Sequence, residues 1–94
     1  MNKSVAMMQR RVRKLQEALG QLGPVMRGSV VVIGVRNKQP YFSLNKDKRT
    51  RLIYLGQKRV ALAQGYSNNY KRLLAIVEEM TILNMELIKR DADL

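Results

Sequence analysis

Between Arg27 and Arg59 the chain carries nine cationic side chains, Arg27, Arg36, Lys38, Lys46, Lys48, Arg49, Arg51, Lys58 and Arg59, with Asp47 as the one acid among them. Cations at that density suit the neutralisation of phosphates, which releases condensed counterions and supplies affinity without reading sequence. The plainer use of the same residues is a solvated basic surface that meets an acidic protein, or nothing. Other chemistry is thin. His and Cys are both absent, which removes imidazole bases, thiol nucleophiles, disulfides and Cys/His metal or haem sites. Neither a Gly-rich phosphate loop nor a strained Ser elbow is present. The expectation is a protein that is not an enzyme, with no cofactor, no metal and no small-molecule substrate.

The elements that must position these cations follow from apolar spacing. Val5, Met8, Val12, Leu15, Leu19 and Leu22 recur at 3, 4, 3, 4 and 3, one stripe of a helix expected over residues 4–21. Ser4 is its N-cap, and Gly20, Gly23 and Pro24 supply the stop through a left-handed exit. From Met26 the pattern changes to short β-branched and aromatic runs, predicting strands over 29–35, 40–44 and 50–55. Their connectors, Arg36 to Gln39 and Asn45 to Arg49, are short and polar, so an antiparallel meander with two hairpin tips is expected. Tyr66, Tyr70, Leu73, Val77, Met80, Asn84 and Leu87 then repeat at 4, 3, 4, 3, 4 and 3, a heptad seam on a long helix over 57–90. Ile76, Leu83 and Ile88 broaden that stripe beyond one neighbour. Gly65 and the Ser67-Asn68-Asn69 run weaken the helix, so a bend or break near Gly65 is expected. The terminal Asp91-Ala92-Asp93-Leu94 is expected to fray.

Ninety-four residues, 46% of them apolar, make one α+β domain with a small core. The net charge of +11 is unevenly placed. Residues 1–72 hold 16 basic and 2 acidic side chains, whereas 73–94 hold 2 basic and 5 acidic ones. Glu78, Glu79 and Glu86 therefore lie where an antiparallel helix pair brings Arg10, Arg11, Arg13 and Lys14. Such exposed pairs choose orientation more than they create stability, each being worth about 0.3–0.5 kcal/mol. The longest apolar run, Val30 to Ile33, is far short of a bilayer span. The first 16 residues are rich in Arg and free of acid, like a transit peptide, but their stripe continues unbroken to Leu22 and reads as structure. Zero Cys suits a reducing compartment, and cytoplasm is the expected address.

Several segments carry a resemblance. Leu22-Gly23-Pro24-Val25-Met26-Arg27-Gly28-Ser29-Val30-Val31 is joined by Pro40-Tyr41-Phe42-Ser43-Leu44 and by Lys48-Arg49-Thr50-Arg51 leading into Ile53-Tyr54-Leu55. Asn69-Tyr70-Lys71-Arg72-Leu73-Leu74 and Leu83-Asn84-Met85-Glu86-Leu87 complete the set. Together they resemble an uncharacterised family of short prokaryotic proteins, a domain of unknown function, over about Leu15 to Arg90. The resemblance implies the element boundaries and an association with mobile-element neighbourhoods. Members carry a Cys-containing basic loop between the first two strands. Gly34-Val35-Arg36-Asn37-Lys38-Gln39 has no Cys, so a metal role does not transfer.

Three further readings stay open on sequence alone. Tyr41, Phe42 and Tyr54 suit stacking on unpaired bases, yet alternation places Phe42, Leu44, Ile53 and Leu55 on a core side and leaves Tyr41 as the best candidate for exposure. Arg10, Arg11, Arg13 and Lys14 form a second nucleic-acid contact, a membrane-surface face or an ordinary solvated helix face. Asn84 either fixes the register of a buried seam or sits at its edge, with the seam rotated towards Ile76, Met80, Leu83 and Leu87. The Met residues are adaptable packing groups. The functional expectation is nucleic-acid binding, DNA before RNA, through the nine cations and Tyr41. Leu73, Val77, Met80, Leu83, Asn84 and Leu87 serve helix packing or a homodimer, and no membrane partner is expected. The alternative is an adaptor that binds an acidic protein or self-associates through the long helix.

Overall fold

The computed structural model describes residues 4–90, and the expected fraying of Asp91 to Leu94 lies outside them. Helix α1 spans Val5–Gly20 and α2 spans Gly56–Lys89, with strands β1 (Ser29–Ile33), β2 (Gln39–Lys46) and β3 (Arg49–Tyr54) between them. The architecture is α+β, with the sheet an antiparallel meander in the order β1-β2-β3. The described residues form two compact units: 4–22 with 72–90, and Gly23–Lys71.

The first unit is a helix pair. Ser4 caps α1, its hydroxyl accepting from the Met7 amide at 3.1 Å. The expected stripe is the contact face: Met8 and Leu15 are buried, and Val5, Val12, Leu19 and Leu22 pack beside them. The C-terminal part of α2 lies antiparallel on this face and buries Ile76, Leu83 and Leu87, with Met80 partly covered. The seam is therefore the rotated one, because Val77 is 46% exposed and Asn84 sits at the edge. The Asn84 amide oxygen is buried there without a hydrogen-bond partner among the described residues. Arg11 grips Glu79 through Nε–Oε2 at 2.5 Å and Nη2–Oε1 at 2.9 Å. That hydrogen bonding and the carboxylate's charge hold the guanidinium above its ordinary pKa. Glu86 pairs instead within its own helix, with Lys89 and Arg90. The stop of α1 differs from expectation: Gln21 ends the helix in a right-handed conformation, and neither Gly20 nor Gly23 takes a positive φ.

The second unit places one sheet face on the N-terminal part of α2. Phe42, Leu55 and Ala63 are buried, flanked by Met26, Val30 and Val60. The low-propensity run in α2 has a tethering role here. Met26 N–H donates to the Tyr66 carbonyl at 3.1 Å, Ser67 Oγ to the Gly28 carbonyl at 2.7 Å and Asn69 Nδ2 to the Pro24 carbonyl at 2.8 Å. Polar side chains that cost α2 propensity thus satisfy the connector that enters β1. No break occurs at Gly65, since α2 runs as one continuous helix through it.

Strand limits moved for local reasons. β1 stops at Ile33 because Gly34 turns the chain with φ 136, where an added Cβ would lie 2.6 Å from the Asn37 carbonyl. Val35, expected in the strand, is exposed. Gly28 opens β1 at φ 150, and a Cβ there would strike the Ser43 carbonyl and the Phe42 ring. β2 runs two residues further than expected because its hairpin to β3 closes on only Asp47 and Lys48.

Candidate nucleic-acid interface

The β2–β3 hairpin is built against two local preferences. Its two-residue turn holds Asp47 at φ 53 and Lys48 at φ 62, the left-handed values that a type I′ hairpin turn requires at both positions. Asp tolerates this region, whereas a Lys side chain is strained there by about 1 kcal/mol. Lys46 and Arg49 then face each other directly across the strands, a like-charge pairing that destabilises a sheet. Arg51 follows one step on, opposite Leu44. Lys46, Asp47, Arg49 and Arg51 line a shallow hollow of about 350 Å³.

Arg27 joins this end of the sheet, its Nη1 donating to the Asn45 carbonyl at 3.0 Å. Beside it lies a larger hollow of about 670 Å³, walled by Met26, Phe42, Leu44, Leu52 and Ile53, with Arg27 and Arg51 among its lining. Ile53 shares the face of Phe42 by register, yet it is 58% exposed. The core side expected from alternation therefore holds only in part, with Phe42 and Leu55 buried, Leu44 half-buried and Ile53 open. The helix covers the end of that face near Leu55 and leaves the hairpin end bare.

Arg36 and Lys38 lie on the loop between β1 and β2, and Lys58 and Arg59 in the first turn of α2. These four occupy the opposite end of the sheet, about 23 Å away along the eight-residue β2. The nine cations thus form two groups. Among the described residues none of the nine makes an ion pair.

Arg59 is committed to the fold. Leu55 N–H donates to the Pro40 carbonyl at 3.0 Å, and in an antiparallel pair of this kind residue 40 would return a bond to the Leu55 carbonyl. Proline has no N–H to give. Arg59 fills the place, Nε donating to the Leu55 carbonyl at 2.7 Å and Nη2 to that of Tyr54 at 2.8 Å. By charge alone this side chain groups with the expected phosphate ligands, and the signal that separates it is a proline early in a central strand.

Tyr41 lies on the other sheet face, half-buried and edge-on to Tyr54 with ring centroids 5.6 Å apart. Tyr54 is the more exposed ring and donates to Gln39 Oε1 at 3.1 Å, so Tyr41 is not the best-exposed aromatic. The structure does not bring either ring onto the face that carries Lys46, Arg49 and Arg51. Of the helix residues singled out, Leu73, Met80, Leu83 and Leu87 are covered at least in part, Asn84 is at the edge, and Val77 points away. Among the described residues no helix is long and apolar enough to cross a membrane. Comparison of the chain with family models, with curated proteins and with solved structures finds no match.

Proposed function

We propose that this protein binds nucleic acid, duplex DNA first, through the hairpin end of its sheet. The observation that carries the reading is the β2–β3 tip, where Lys48 occupies a strained conformation and Lys46 and Arg49 stand opposite each other. Both choices cost stability, and neither is offset by a partner in the fold. Local rules broken without compensation are characteristic of functional surfaces. A polyanion returns that cost by supplying the counter-charge.

Arg27, Lys46, Lys48, Arg49 and Arg51 are the phosphate ligands of this end. A two-stranded ribbon has the width that a major groove admits. Arg36, Lys38 and Lys58 extend the positive potential along the sheet, while Arg59 serves the fold. Affinity is then dominated by backbone contacts and depends steeply on salt.

The test is a salt titration of binding to labelled duplex DNA, single-stranded DNA and structured RNA. Five phosphate contacts give a slope of log affinity against log salt of about −4.5 on duplex. Reversing Lys48, Arg49 and Arg51 together should flatten that slope by about 3 while the circular-dichroism spectrum is unchanged. No binding to any of the three at low salt refutes the proposal and leaves an adaptor for an acidic protein as the working function.

A further inference from the structure

A second apolar face runs down the C-terminal part of α2, apart from the one α1 covers. Leu74, Val77, Thr81, Asn84 and Ile88 recur at 3, 4, 3 and 4. At 3.6 residues per turn they centre about 110° round the helix from the buried seam of Ile76, Met80, Leu83 and Leu87. Leu74, Val77 and Ile88 are 50%, 46% and 64% exposed, and Met85 on their flank is 58% exposed. Heptad spacing sustained over five positions, with large aliphatic groups open to water, is the pattern of a helix that packs on another helix.

We infer that the occupant of this face is α2 of a second copy, aligned antiparallel. Charge selects the partner. Residues 73–90 hold three acids and two bases in a chain that is otherwise strongly basic, so of the chain's segments this one repels its own copy least. Glu78 and Lys89 select the orientation. They are eleven residues apart, three turns, and therefore border the same edge of the stripe. Glu78 makes no ion pair among the described residues, and Lys89 reaches Glu86 only at 3.9 Å.

Setting Thr81 level with Asn84 of the second copy puts Val77 level with Ile88 of that copy. Glu78 then comes within two residues of the level of Lys89 of the second copy, about 3 Å along the axis, and symmetry repeats each pairing. Thr81 of each copy, whose hydroxyl donates to its own Val77 carbonyl at 2.7 Å, then lies level with Asn84 of the other. A parallel, in-register pair sets Glu78 level with Glu78 of the second copy and leaves Lys89 about 16 Å away. The inference is independent of nucleic-acid binding, since none of these residues belongs to the sheet.

The experiment uses the full chain. Sedimentation velocity over a concentration series should show a dimer, and Ile88→Ser, a change at a solvent-facing position, should shift it to monomer with the helical spectrum intact. Glu78→Lys and Lys89→Glu should each weaken association about fivefold at low salt, and the double exchange should restore it. The chain has no native Cys, so mixing Val77→Cys chains with Ile88→Cys chains under oxidation reads the orientation directly. The mixed disulfide is expected. A 77–77 or 88–88 product overturns the antiparallel alignment, and a monomer throughout the series overturns the dimer.

Discussion

Arg59 offers the sharpest test of how the second unit is held. Arg59→Met keeps the aliphatic stem and removes both donors. The Leu55 carbonyl belongs to a buried residue, and an acceptor left unpaired at such depth costs about 1–3 kcal/mol. The Tyr54 carbonyl is at an exposed bond, where water substitutes at little cost. The expected loss is about 1–2 kcal/mol, and each kcal/mol lowers Tm by about 4–8 °C in a chain of this size. Urea unfolding followed by circular dichroism should show a lower midpoint at unchanged m. Lys58→Met, one residue away and exposed, should stay within about 0.5 kcal/mol of the parent. The decisive step is the cycle with Pro40→Ala. Alanine restores the N–H that can return a bond to Leu55, so Arg59→Met should cost about 1 kcal/mol less in that background. If the two changes add to within about 0.3–0.5 kcal/mol, Arg59 does not replace the missing donor of Pro40 and the reasoning fails.

The hairpin tip separates stability from binding in one variant. Lys48→Gly relieves the left-handed strain, raising stability by about 0.5–1 kcal/mol, while it removes one phosphate contact and flattens the salt slope by about 0.9; chemical denaturation and the DNA titration read the two. Gly65→Ala should stabilise by about 0.5–1 kcal/mol in urea, since a Cβ there meets nothing within 4 Å and the helix is continuous. Gly28→Ala should destabilise by more than about 2 kcal/mol, because the added carbon strikes backbone at a φ that L residues avoid; a native-like midpoint would show that the strand entrance is looser than this.

Much of the fold is written in periodicities. The α1 stripe from Val5 to Leu22 and the long final helix follow from spacing near 3.6, because one face of each helix must leave water, and the three short strands follow from β-branched and aromatic runs. The Ser4 cap and the sign asymmetry behind the Arg11–Glu79 pair were readable for the same reason: both are local in type, and complementary charges survive any small shift of register. The break expected at Gly65 was a propensity argument. Propensity lost to the tethers from Tyr66, Ser67 and Asn69 to residues 24–28, which no local scale contains.

By itself the sequence determined the element types, their order, the excess of cations in the meander and the absence of His and Cys, since these depend on composition and on neighbours along the chain. Only the tertiary structure decided which cations lie together. Pairing β2 with β3 sends Lys46, Arg49 and Arg51 to one end and Arg36, Lys38 and Lys58 to the other, and register across strands cannot be read from spacing within one. It also decided that Arg59 belongs to the fold, because the acceptor that Pro40 leaves empty exists only once residue 40 lies opposite residue 55. The rotation of α2 against α1 was settled in the same way, by which side chains fill the shared core, and that rotation is what leaves Leu74, Val77 and Ile88 facing water.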